Sequence, residues 1–170
     1  MLTPDTLRAA FDRGLPYRDY TATGSPHHQQ AWSAFRERAT LTKPQTDLIR
    51  GFTRRIEAVA LSGVWCGDCA QQLPFLDLFE SANPDLVAVR YLDRDDNPEL
   101  ADTLRICSGT RVPVVIYMNE DADFISLFGD RSLSRYRAIA ERQLGPACPL
   151  PGAPVPAEEV SATLQDWLDE

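Results

Sequence analysis

The sequence lacks any apolar run near the ~18 residues of a membrane-spanning helix, so no span is expected. It is poor in positive charge: 17 Lys and Arg stand against 25 Asp and Glu, a formal charge of −8. That balance argues against nucleic acid, whose phosphates demand a basic surface, and against an anionic membrane surface. Its four cysteines are too few for a disulfide scaffold in 170 residues. The two histidines, His27 and His28, are adjacent and have no clustered partners, so a histidine-built metal site is not expected. There is no internal repeat, and the one biased tract is a stretch with five prolines and two glycines over 145–156. The opening MLTPDTLRAAFDRG carries charge throughout and no apolar core. It does not read as a secretory signal, and a cytoplasmic location is expected.

What is present is ordinary globular composition, 44% apolar and 25% charged, enough for one domain with a sizeable core. Thr3-Pro4 opens a helix with Leu7, Ala10 and Phe11 on one face. Residues 14–26, with two glycines and two prolines, read as loop. A helix over about 27–39 carries Ala31, Trp32 and Phe35 as an apolar stripe. Thr42-Lys43-Pro44-Gln45 fits a capping box, leading to Leu48, Ile49 and Phe52.

The period then changes. Ile56 to Trp65 suits a buried strand, and a helix follows Cys69 through Leu73, Leu76, Phe79 and Ala82 until Asn83-Pro84. Strands are expected over 86–92, 112–118 and 123–128, with a short helix from Asn97-Pro98 and a hairpin turn over Asn119 to Ala122. Ser132 or Ser134 caps a helix to Leu144, and a last helix follows Pro156 with Val160, Leu164, Trp167 and Leu168 as its packing face. The order from Ile56 is β-α-β-α-β-β-α. Its first crossovers imply parallel pairing and its last pair a hairpin.

The chemistry concentrates in VWCGDCAQQLPF, Val64 to Phe75. Its cysteine pair can be a redox dithiol, half of a metal site, or two buried small residues. A zinc site would have to recruit Cys107 and Cys148, which are singletons, where structural zinc usually has a second close pair. The dithiol reading has a physical basis. A cysteine just before a helix meets unsatisfied N–H groups and the positive end of the helix dipole, and both stabilise a thiolate. Cys69 follows one turn later on the same side, more buried, where it can attack a mixed disulfide formed at Cys66.

The stretch resembles the thioredoxin family, whose signature is WCGPC at the same strand-to-helix junction. Three further features match. Pro74 stands where thioredoxins carry a helix-kinking proline, Arg111-Val112-Pro113 resembles the segment ending in a cis-proline, and Phe128-Gly129 resembles the glycine beyond the hairpin. The resemblance covers about 56–144. It implies an α/β thioredoxin fold, a central mixed sheet with helices on both faces, with an N-terminal helical extension over 1–55 and a Pro-rich strap and helix over 145–170. It implies Cys66 as attacking nucleophile, Cys69 as resolving thiol, and a substrate rim of Trp65, Gly67, Asp68, Val112, Pro113 and Gly129. No metal or organic cofactor is implied. The expected partners are a protein or small disulfide and a reductase or small thiol, acting on a monomer.

Two departures stand out. Ala60 replaces the family's buried aspartate, six residues before the first cysteine, and Asp68 replaces the proline inside the motif. The negative charge of Asp68 opposes a thiolate at Cys66, although an acidic residue also suits a first helical turn. WCGDC behind a long helical extension looks like the thioredoxin-like proteins of bacteria. The expected function is dithiol–disulfide exchange; the alternative is a thioredoxin-fold binding module whose affinity follows the redox state of the pair. Cys107 is expected to pack as a small apolar residue, Cys148 to be exposed, and Asp93, Asp95 and Asp96 to form a solvated turn. Arg111 reads either as a surface charge or as a substrate-steering residue.

Overall fold

The computed structural model describes residues 2–144 and 155–170. Four strands, β1 (Ile56–Ser62), β2 (Val87–Asp93), β3 (Val114–Asn119) and β4 (Phe124–Gly129), form one sheet in the order β2-β1-β3-β4. β1 and β2 are parallel, joined across α5 (Gly67–Gln72) and α6 (Pro74–Ala82). β3 runs antiparallel to β1, which corrects the expectation of a second parallel crossover. The connection carries one short helix, α7 (Pro98–Thr103), and does not cross back over the sheet. The chain re-enters the sheet from the end it left. β3 and β4 form the expected hairpin, closed by the Ala122 N–H donating to the Asn119 carbonyl at 3.0 Å.

The helix expected as one after Cys69 is two. Pro74 has no N–H to donate, so the chain breaks at Leu73 and restarts as α6. β3 begins at Val114 and not at Val112, which leaves Val112-Pro113 outside the ladder.

In α1 (Pro4–Arg13), Thr3 makes a capping box with Thr6, and Leu7, Ala10 and Phe11 are buried as the periodicity expects. At Gly14 a Cβ would lie 2.6 Å from the Arg90 Cβ, so glycine lets the chain pass in contact with β2. Leu15 then pairs with Tyr91 through two backbone hydrogen bonds of 2.9 and 2.8 Å, covering the outer edge of β2. Residues 14–26 are not all loop: α2 (Tyr17–Ala22) forms there. Its prolines and glycines mark its ends, and its register is held by Tyr20, stacked on Tyr91 at 5.5 Å and edge-on to Trp32 at 5.6 Å. Tertiary packing of aromatic rings outweighs the local turn signal.

Trp32, from α3 (Pro26–Arg38), is fully buried and its indole N–H donates to the Val64 carbonyl at 2.9 Å. α4 (Lys43–Arg50) has the capping box expected of Thr42 and Gln45, but Leu48 is exposed and Ile49 carries the burial. Ser132 caps α8 (Leu133–Leu144), its hydroxyl accepting from the Arg135 N–H at 3.3 Å. α9 (Ala157–Asp169) buries Val160, Leu164 and Trp167, the last 4.5 Å from the Phe128 ring. Cys107 corrects another expectation: it is exposed, at φ 48°, in the irregular turn before β3. Cys148 and residues 145–154 of the strap lie outside the described residues. Among the described residues no helix is long and apolar enough to cross a membrane.

Trp32→Ala removes a fully buried aromatic and its bond to the segment entering the cysteine motif. It should lower the unfolding free energy by about 3–5 kcal/mol, read from urea denaturation. A loss below about 1 kcal/mol would contradict this packing account.

Candidate active site

Cys66 occupies the N-cap of α5, with its backbone still extended at φ −82°, ψ 122°. Its N–H donates to the Gly63 carbonyl at 2.8 Å and its carbonyl accepts from the Ala70 N–H at 3.0 Å. The sulfur is half-buried and donates to the Val112 carbonyl at 3.7 Å. Cys69, one turn on, is fully buried. Both thiols are free.

The two sulfurs differ in what surrounds them. The Cys66 thiol is lowered to about 7, chiefly because the Cys69 thiol donates to it. The backbone N–H groups of Cys69 and Asp68 assist, while burial and the Asp68 charge oppose. Burial pushes Cys69 well above the ordinary thiol range, and its donation to Cys66 pushes it further. The result is one sulfur stabilised as thiolate and a second held protonated beneath it.

Asp68 is not a bare negative charge. Arg131 grips its carboxylate with two bonds, of 3.0 and 2.6 Å, and Arg135 stands 3.5 Å away. These cations offset part of the repulsion that the motif implies. Arg135, almost fully buried, also donates to Gln71 and, at 3.0 Å, to Glu159 of α9. The buried Gln72 ties α5 to the turn after β4. Its amide N–H donates to the Asp130 carbonyl at 3.1 Å, and its oxygen accepts from the Ser132 N–H, also at 3.1 Å.

The residues expected at the rim fall as follows. The Val112-Pro113 bond is cis, and both residues are buried beside Cys66. Gly129 lies against Pro113, where a Cβ would stand 2.5 Å from the Pro113 carbonyl oxygen; only glycine permits that approach. Trp65 is 45% exposed, with the Arg94 guanidinium 4.8 Å from its ring centre. Gly67 is exposed, with open space around its Cα. Arg111 pairs with Asp130 at 3.3 Å, and Asp130 also accepts from the Tyr136 hydroxyl. Arg131, Arg135 and Gln72 had no signal in the sequence. The two arginines lie more than 60 residues beyond Asp68 and belong to no motif. Cys107, exposed, does not join the pair. Among the described residues no cluster of three or more Cys, His, Asp and Glu could hold a metal ion.

A dithiol at a strand-to-helix junction beside a cis-proline defines the thioredoxin class of site. The family model described as thioredoxin matches residues 14–141, and the chain belongs to that family. The match begins at Gly14, within the helices that precede β1. Among solved structures, the chain is similar to a protein of unknown function from Pseudomonas aeruginosa, with 18% identity over 94% of this chain and 90% of that one and a TM-score of 0.72. It is also similar to an HIV epitope-scaffold, with 19% identity over 96% and 98% and a TM-score of 0.68. At these identities the likeness shows the fold. No curated protein matches the chain.

Alkylation of Cys66 by iodoacetamide should rise as pH passes about 7, with Cys69 spared in the folded protein. Arg131→Gln should shift that midpoint upward by less than about one unit: one unit is 1.36 kcal/mol, and a partly exposed pair contributes about 1 kcal/mol or less. A midpoint in the ordinary thiol range, or Cys69 reacting first, would contradict the asymmetry.

Proposed function

We propose that the protein is a thiol–disulfide oxidoreductase acting on protein or small disulfides through Cys66 and Cys69. The observation that carries this reading is the division of labour between the sulfurs: Cys66 half-buried and lowered to about 7, Cys69 buried and raised. At neutral pH a substantial fraction of Cys66 is thiolate, and the thiolate is the attacking form.

The Cys66 thiolate attacks one sulfur of the substrate disulfide. A Cys66–substrate disulfide forms, and the other substrate sulfur leaves as a thiolate. Cys69 loses its proton and attacks the Cys66 sulfur. The Cys66–Cys69 bond forms as the mixed disulfide breaks, releasing the second substrate thiolate. Two electrons pass from the dithiol to the substrate, and the two released thiolates take up the two protons that Cys66 and Cys69 gave up. A reductase or a small thiol then restores the dithiol.

The surface around Cys66 would receive an extended substrate segment. Val112 stands next to the cis bond with its carbonyl on the Cys66 sulfur, and Trp65, the residue before Cys66, presents an exposed ring. The alternative, a binding module with no turnover, draws on the same surface and has no separate observation in its favour.

Cys66→Ser should abolish reduction of an insulin disulfide. Cys69→Ser should accumulate a covalent Cys66–substrate adduct visible by mass spectrometry. Undiminished reduction by Cys66→Ser would overturn the mechanism, and partner binding without turnover in the unmodified protein would favour the module.

A further inference from the structure

Glu159 is an acidic residue on the last helix, α9, and it is buried, with 6% of its surface exposed. A buried carboxylate needs cations, and Glu159 has two. One oxygen accepts from Arg135 at 3.0 Å and the other from Arg142. Arg135 is itself 5% exposed and stands between two carboxylates. Its second terminal nitrogen lies 3.5 Å from Asp68 and donates to Gln71. Asp68 is held in turn by Arg131. Five side chains thus alternate in sign from inside the cysteine motif to α9 and the end of α8: Arg131, Asp68, Arg135, Glu159 and Arg142.

The middle of this chain of charges is a shared cation. The Arg135 Nε is buried and has no hydrogen-bond partner among the described residues. Its guanidinium therefore makes its polar contacts through the two terminal nitrogens, one toward α9 and one toward the motif. Burial works against the guanidinium charge, while Glu159 first and Asp68 second favour it. The shorter contact is the one to Glu159, and a guanidinium held close to one carboxylate is kept back from the other.

How firmly Asp68 is held matters to Cys66. Residues two apart in a helix do not face each other. The Asp68 carboxylate is drawn toward Arg131 and Arg135, while the Cys66 sulfur faces the Val112 carbonyl. An acidic side chain in a first helical turn is otherwise attracted by the free N–H groups there. The N–H groups of Cys69 and Asp68 are among those that stabilise the Cys66 anion. A loosely held Asp68 competes with the thiolate for them.

We propose that Glu159 is a positioning residue for the attack by Cys66: by sharing Arg135 with Asp68 it slackens the hold on the motif's carboxylate, so the last helix restrains the nucleophile. The inference rests on the exchange reading above and adds a restraint to it. The other charged and titratable groups that face this chain of charges and Cys66 are Asp130 and Tyr136 beside Arg131, Arg111 on Asp130, Cys69 on the same helix as Cys66, and Tyr20 from α2.

The test uses the reduced full-length protein and 4,4′-dithiodipyridine. Attack by Cys66 releases a first equivalent of pyridinethione and resolution by Cys69 a second. The first-phase rate is followed across pH, and its midpoint is compared between the unmodified protein and its variants. Glu159→Gln, which leaves Arg135 an oxygen to donate to, should lower the midpoint by about half a unit. Arg142→Gln, at the partly exposed end of the chain of charges, leaves Glu159 to draw harder on Arg135 and should raise it. Both shifts should disappear when Asp68→Asn is added, because the effect runs through that carboxylate. Shifts of the same size in the Asp68→Asn background would mean a direct field on Cys66 and would overturn the positioning role. Unchanged midpoints in Glu159→Gln and Arg142→Gln would overturn it as well, with the exchange reading intact. Where Glu159→Gln does not fold, Arg142→Gln with and without Asp68→Asn decides the matter alone. A first phase with no second in the unmodified protein would overturn the exchange reading itself, whatever the midpoints.

Discussion

Burial of the Cys69 thiol beneath the first turn of α5 sets the terms for the rest of the site. A sulfur held away from water resists ionisation and so remains a proton donor to its neighbour. That donation is the largest influence lowering Cys66. The two thiols are thus unlike because one is covered, and the cover is built from several parts of the chain. α5 supplies the turn, the break at Leu73-Pro74 limits that helix to six residues, and β1 brings the buried Ser62 to Cys69.

The segments flanking the sheet core are part of this construction. Leu15 carries the chain over the edge of β2, so that α2 and α3 reach the face bearing the dithiol. There Tyr20 and Trp32 pack on Tyr91, and Trp32 holds the Val64 carbonyl just before the motif. From the other side, Arg131 and Arg135 hold Asp68, and Arg135 joins it to Glu159 on α9. A motif with a carboxylate where its family has proline therefore sits in a cationic clasp that extends to the last helix.

The site was legible where local physics fixed it. Two cysteines one turn apart at a strand end were local; Pro74 and Val112-Pro113 were tied to them by the family resemblance, and the Val112-Pro113 bond is cis. The two capping boxes and the stripe of α1 were equally local. What was not legible depended on distance. α2 forms because Tyr20 meets the Tyr91 ring from a distant strand, against the proline and glycine signals around it. The direction of β3 depended on its pairing with β1 across some sixty residues of chain, and the exposure of Cys107 on a positive φ that its neighbours do not announce. The partners of Asp68 lie beyond β4, where no spacing rule reaches.

The central claim is that Cys66 and Cys69 act as one two-electron unit, and titration of the reduced protein against glutathione buffers tests it directly. The account predicts a single transition to an intramolecular Cys66–Cys69 disulfide, scaling with the square of reduced glutathione over oxidised glutathione. A protein that stays reduced throughout, or stops with glutathione attached to Cys66, would contradict it.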